Sequence, residues 1–217
     1  MALAFFDLDN TLVAGDTAQA FSEYLAASNL PTPDDFLSVN LAYMEDYDAG
    51  RLNLADYMRY TLAPLIQLNA EQVNDVIDAF IKDKVSEMIL PKAKATLAKH
   101  KAAGDTLVII SATGTHLVAP IARYLGVEHA LGVDIEYHNG QITGEIAGVP
   151  TFREGKVTRA IEWAEQHHMS MADCFFYSDS HNDLPLLEKA SNPIAVDADP
   201  ILLKVAQERD WPVISLR

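Results

Sequence analysis

Short apolar runs that stop abruptly at polar residues recur along the chain: residues 3–6 before Asp7, 106–110 before Ser111, 174–177 before Ser178 and Asp179, and 194–196 before Asp197. Runs this short and this continuously apolar predict strands covered on both faces, the habit of parallel sheets. Between them the apolar period lengthens to that of helices, at 93–103 before Gly104, at 118–125 before Gly126 and at 156–168. Strand alternating with helix predicts a doubly wound, Rossmann-like α/β parallel sheet with its site at the carboxyl ends of the strands. The four polar strand ends are then expected to meet at one crevice. Residues 133–137 and 141–146 flank His138-Asn139-Gly140, the pattern of a small β-hairpin around an Asn-Gly turn.

About a hundred residues separate the first two strands, far more than one crossover helix requires. Residues 17–27, 34–48, 54–62 and 70–88 carry helical periodicity, broken by Pro31, Pro33, Gly50 and Pro64. The expected organisation is a core of residues 1–15 and 89–217, with residues 16–88 inserted as a helical cap over the crevice. Helices packed directly on the sheet are the alternative.

Composition narrows the function. The 217 residues are 49% apolar, enough for one sizeable core. A formal charge of -15 argues against nucleic acid, whose phosphates need a basic stripe, and against anionic membrane surfaces. No apolar stretch approaches the roughly 18 residues of a membrane span, and Asp7 and Asp9 interrupt any signal-peptide apolar segment. Cys174, the single cysteine, lies in an apolar run and is expected to be a buried thiol, in keeping with a reducing cytoplasm.

Asp7 and Asp9 close the first predicted strand. Residues two apart on a strand share a face, so two carboxylates there repel unless a cation or a proton separates them. A nucleophile, a metal and an acid/base at one strand end would account for them; a strand running into a turn capped by Asp9 or Asn10 is the plainer alternative. Lys156 follows Gly155 and opens a helix, where a cation and free N–H groups suit phosphate. It is not a P-loop lysine, since six residues separate Gly148 from Gly155 and Val157 stands where Ser or Thr is required. Asp179 and Asp183 add two carboxylates at a third strand end, an oxygen-only set suited to Mg²⁺, or else an Asx-rich turn. Ser111 lacks the G-x-S-x-G surroundings of a serine hydrolase.

In order along the chain stand Asp7, Asp9 and Thr11; then Ser111 in Ile109-Ile110-Ser111-Ala112-Thr113-Gly114; then Lys156; then Asp179, Asn182 and Asp183. Together these resemble the haloacid dehalogenase-like superfamily in its phosphoserine phosphatase-like branch (subfamily IB), over essentially the whole chain. The resemblance implies a C1-type cap insertion and a phosphomonoesterase acting on a small metabolite. It implies Asp7 as the nucleophile that becomes an aspartyl-phosphate and Asp9 as the acid/base. By the same likeness Mg²⁺ is held by Asp7, the Asp9 carbonyl and Asp179, with Asp183 and Thr11 supporting, and Ser111, Lys156 and Asn182 hold phosphoryl oxygens. Three positions depart from the branch. Asp16 stands where a cap glutamate is usual, Ala112 follows the serine in place of glycine, and the fourth motif reads Ser178-Asp179-Ser180. Asp16, Arg51, Arg59 and His181 are the substrate-contact candidates, and the substrate is expected to be phosphoserine-like or an amino-alcohol phosphate. A phosphotransferase, or a non-catalytic ligand-binding relative, remains open at this level.

Overall fold

The structure is a computed structural model that describes residues 2–217, the side chain of Asp48 left aside. Six strands form one sheet: β1 (Leu3–Phe6), β2 (Thr106–Gly114), β3 (His129–Val133), β6 (Phe175–Ser178), β7 (Asn192–Val196) and β8 (Val213–Ile214). Their spatial order is β3-β2-β1-β6-β7-β8, and every pairing is parallel. The order runs outward in both directions from β1 and β6, which puts a topological switch point between them.

Side chains on β1 alternate between the two faces of the sheet. Leu3 and Phe5 join Trp163, Phe176 and Leu202 on one side, and Ala4 and Phe6 join Leu12, Phe80 and Ile109 on the other. The first side is covered by α8 (Glu154–Gln166), α9 (Leu184–Leu187) and α10 (Pro200–Glu208). Packed on the second are α6 (Pro91–Ala103) and α7 (Thr115–Tyr124).

The long connection from β1 to β2 is helical: α1 (Thr17–Ala26), α2 (Phe36–Asp48), α3 (Leu54–Leu62), α4 (Ala70–Phe80) and α5 (Ser86–Met88). A π-helical segment, Ile81–Val85, joins the last two, so the expected helix over 70–88 is continuous with one widened turn. Local chemistry explains two of the starts. Asp16 accepts the Gln19 amide to cap α1, and Asn69 with Gln72 forms a reciprocal capping box on α4. The outgoing and returning strands of this connection lie side by side, for the Ala14 amide donates to the Met88 carbonyl and the Leu90 amide to Leu12.

The hairpin consists of β4 (Ile135–His138) and β5 (Gln141–Ile146), antiparallel. Asn139 (φ 52) and Gly140 (φ 79) give the left-handed pair that a tight hairpin turn needs. Its first strand starts later than the sequence pattern suggests. Val133 closes β3 against β2, and the chain leaves the main sheet at Asp134, which accepts Thr115 Oγ1 at 2.7 Å and pairs with Arg159 at 2.7 Å. One apolar run therefore serves two sheets, and periodicity alone does not mark the break. Strands β3 and β8 had no separate sequence signal of their own. Among the described residues no helix is long and apolar enough to cross a membrane.

Candidate active site

The carboxyl ends of β1, β2 and β6 and the first turn of α8 converge, and the side chains they carry form a hydrogen-bonded cluster. Asp7 continues the β1–β6 ladder, its amide donating to the Tyr177 carbonyl at 2.9 Å. Lys156 lies on the buried side of α8, 1% exposed, with Nζ 2.7 Å from Asp7 Oδ1 and 2.8 Å from the Asp183 carboxylate. Burial works against the ammonium, but the Asp183 and Asp7 carboxylates outweigh it and hold the Lys156 pKa above its ordinary value. Burial pushes Asp7 upward, against the pull of Lys156 and with the repulsion of Asp183, Asp179 and Asp9. Ser178 Oγ donates to Asp183 at 2.7 Å, fixing the carboxylate that faces the lysine.

Asp9 meets a different set of partners. One carboxylate oxygen accepts both the amide and the hydroxyl of Thr17, each at 2.6 Å, and the other accepts Thr113 Oγ1 at 2.8 Å and Ser111 Oγ at 3.2 Å. Thr17 is the first residue of α1, so the Asp9 carboxylate sits at a helix N-terminus and satisfies one of its free amides. Thr151 Oγ1 donates to the Ser111 carbonyl at 2.6 Å and anchors the β2 end.

Asp179 accepts Thr11 Oγ1 at 3.2 Å. Burial, together with the nearby Asp183 charge, pushes its pKa up to about 7. Three carboxylates, Asp7, Asp179 and Asp183, thus share the floor of the crevice with a single ammonium. A divalent cation would remove that excess of negative charge, and an all-oxygen donor set suits a hard ion. Among the described residues no three His, Cys, Asp or Glu side chains gather closely enough to hold a metal by themselves. An ion here would use two carboxylates and a main-chain carbonyl and complete its shell with water or substrate oxygens, which fits an ion that keeps several waters.

The remaining candidates divide. Asp16 and His181 line the same crevice as Asp7, Asp9, Ser111 and Asp179, a cavity of about 540 Å³. Arg51 and Arg59 do not; Arg51 pairs with Asp46 at 2.8 Å, and Arg59 with Glu145 at 2.6 Å and Asp56 at 3.0 Å, on exposed surface. Nearby acids on the helical connection and on β5 supply closer partners than the crevice does. Asn182 is buried beside the floor, its amide donating to the Tyr47 carbonyl at 3.2 Å and its oxygen accepting Arg153 Nε at 3.2 Å. Asp197, expected at the crevice, instead accepts the Leu216 amide, and Asp199 takes the place near the site. Asp199 caps α10 and accepts both the amide and Nδ1 of His181, at 2.6 and 2.9 Å. Thr17, Thr113, Arg153 and Asp199 escaped sequence reasoning, although Thr17 opens the first helix after Asp9 and Thr113 lies two residues beyond Ser111 on the same strand.

Comparison with known proteins bears on this geometry. The family model for haloacid dehalogenase-like hydrolases matches residues 4–188. A histidinol-phosphatase of Neisseria meningitidis serogroup C is 33% identical over 219 residues, covering 99% of this chain and 99% of that protein. A phosphoserine phosphatase of Mycobacterium tuberculosis is 32% identical over 227 residues, covering 100% of this chain and 71% of its own length. Among solved structures, a protein of unknown function from Bordetella pertussis superposes with a TM-score of 0.91 at 36% identity, covering 100% and 99% of the two chains. A substrate-bound phosphoserine phosphatase shares the fold, with a TM-score of 0.71 at 20% identity over 100% of this chain and 93% of that one. The chain belongs to the haloacid dehalogenase-like hydrolase family. Within that family it is a phosphatase.

Proposed function

We propose that this phosphatase hydrolyses a small-metabolite monoester, phosphoserine-like or an amino-alcohol phosphate, through an aspartyl-phosphate on Asp7 with Mg²⁺ as cofactor. The observation that carries the reading is the buried Lys156 ammonium, clasped between Asp7 and Asp183 under a crevice that Asp9 also lines. A carboxylate so held is restrained in position and shielded from its neighbours, as a nucleophile for in-line attack must be.

In the first step an Asp7 oxygen bonds to phosphorus while the ester P–O bond breaks, and Asp9 delivers a proton to the leaving alcohol. In the second, Asp9 takes a proton from water, whose oxygen attacks phosphorus and releases Asp7 and inorganic phosphate. Lys156 holds a phosphoryl oxygen with its third N–H, and Ser111 and Asn182 join it by exchanging their 3.2 Å bonds to Asp9 and to the Tyr47 carbonyl. Asp7, the Asp9 carbonyl and Asp179 would hold Mg²⁺, with Thr11 and Asp183 steadying them. When bound, the ion neutralises charge on the transferring group.

Residues 16–88 serve as a cap that excludes bulk water, an assignment supported by the adjacent exit and return of that segment and by its crevice-lining side chains. The lone, buried Cys174 supports a cytoplasmic setting. The names of the Neisseria and Mycobacterium relatives support an amine-bearing ester as substrate. The test is phosphate release from a panel that includes phosphoserine and histidinol phosphate, with Mg²⁺ and with a chelator. Release that requires the metal and is lost in Asp7→Asn is expected; turnover in Asp7→Asn near that of the unmodified enzyme would remove Asp7 from its role.

A further inference from the structure

Arg153 occupies a corner of the chain where the backbone alone would favour glycine. Its φ of 51 and ψ of -122 are those of the first central residue of a type II′ turn, and the Gly155 amide closes that turn on the Phe152 carbonyl at 2.9 Å. Residues with a Cβ rarely adopt this conformation, and glycine adopts it freely. The same turn does carry a glycine at Gly155, where a Cβ would lie 1.9 Å from the Pro150 carbonyl oxygen. An arginine kept at the strained position beside it points to work done by the side chain.

That side chain is pinned on three sides. The guanidinium lies 5.3 Å from the centre of the Phe152 ring. It packs on Gly50 so closely that a Cβ there would lie 2.0 Å from Nη2, and its Nε donates to Asn182 Oδ1 at 3.2 Å. A guanidinium has donors and no acceptor, so only the oxygen end of the Asn182 amide can face it. Nδ2 is thereby turned the other way, where it donates to the Tyr47 carbonyl at 3.2 Å. Once a phosphoryl oxygen takes Nδ2 from Tyr47, Arg153 is, among the described residues, the remaining partner that tells the two ends of this amide apart. The phosphoryl group offers only acceptors, and a reversed amide would set oxygen against oxygen.

We infer that Arg153 is a positioning residue for phosphoryl transfer: it fixes the Asn182 amide with its N–H toward the phosphoryl oxygens, and the chain bears a strained turn to keep it there. This rests on the phosphoryl-binding role proposed for Asn182 and deepens it.

The experiment measures kcat/KM for p-nitrophenyl phosphate with Mg²⁺, together with the thermal unfolding temperature, in the unmodified enzyme, Arg153→Gly, Asn182→Ala and the double variant. Arg153→Gly should lower kcat/KM by about tenfold or more, the effect of losing a well-aimed donor. Its unfolding temperature should hold or rise, because glycine relieves the turn. An arginine serving the fold alone would give the reverse, and an unfolding temperature that falls while the rate holds would overturn the inference. In the Asn182→Ala background, where no amide is left to orient, removing Arg153 should change kcat/KM by less than about twofold. Equal losses in the two backgrounds would show a guanidinium acting apart from Asn182 and would overturn the inference as well. Arg153→Lys still only donates and should stay within about threefold of the unmodified enzyme, whereas Arg153→Met keeps the length without a donor and should fall as far as Arg153→Gly. Lysine and methionine variants of equal rate would refute the donor argument. Asn182→Ala at the unmodified rate would sink the role of Asn182 and this inference with it. No phosphate release by the unmodified enzyme would sink the phosphatase reading itself, a separate failure.

Discussion

Replacing Lys156 by Met tests the physical core of the site without any assumption about substrate. Methionine fills most of the lysine's volume and keeps a flexible unbranched chain, so packing changes little. Electrostatics change greatly. Lys156 is 1% exposed and holds two carboxylates at 2.7 and 2.8 Å, and its loss strands both Asp7 and Asp183 in the interior. Removing one partner of a buried ion pair costs about 3–5 kcal/mol, against roughly 5–15 kcal/mol of total stability for a domain. With a urea dependence of about 3 kcal/mol per molar, the unfolding midpoint should fall by roughly 1–2 M.

The measurement is urea unfolding near neutral pH in chelator, so that no metal replaces the missing charge. A second substitution sharpens it. Asp183→Asn in the unmodified protein removes a partner of Lys156 and should destabilise by about 1–3 kcal/mol. In the Lys156→Met background the same change removes a stranded charge and should stabilise. Ser178 Oγ can still donate to the asparagine oxygen, so the reversal isolates the charge. A loss below about 1 kcal/mol for Lys156→Met, the size of an exposed pair, would refute the reasoning, as would Asp183→Asn being destabilising in both backgrounds.

Asp9→Asn should lose turnover, and with a good leaving group such as p-nitrophenol the phosphoenzyme should accumulate; unchanged steady-state hydrolysis would rule out the acid/base role. His116, packed against Phe21 with Nδ1 lacking a hydrogen-bond partner, is pushed by burial down to about 4 from an ordinary 6.5. In that window the unfolded chain binds a proton that the folded chain refuses, so stability is complete above the ordinary value and falls as pH drops toward 4. His116→Leu should remove a pH dependence of about 1 kcal/mol per pH unit, read from unfolding free energies at pH 6.5 and 5. Gly50→Ala should destabilise by about 1 kcal/mol or more, measured by thermal unfolding. Gly50 has φ +66, and a Cβ there would lie 2.0 Å from Arg153 Nη2.

The places of Asp7, Asp9, Ser111 and Asp179 were legible because strand ends announce themselves: an apolar run terminates and a polar residue must lie at the sheet margin; Lys156 was legible as the cation that follows Gly155 into a helix. Asp197 followed the same rule yet turned toward the C-terminal segment, since a strand end fixes the height of a residue and not its direction. Arg51 and Arg59 failed for a related reason. Helix period says which face they share, whereas the acids that capture them come from elsewhere, Glu145 from the hairpin in particular. Thr113 and Thr17 reach Asp9 from β2 and α1, far apart in sequence, and no local spacing links them.

By itself the chain determined its alternation of strand and helix, its long helical insertion and the kinds of chemical group that end each strand, because these are local matters of period, capping and turn. Only the tertiary structure decided which groups meet. One lysine sits between two buried aspartates because α8 packs beside β1 and β6. Arg51 and Arg59 stay outside the crevice, held by Asp46, Asp56 and Glu145. Burial and sign of charge are properties of the assembled surface, which no local spacing along the chain can supply.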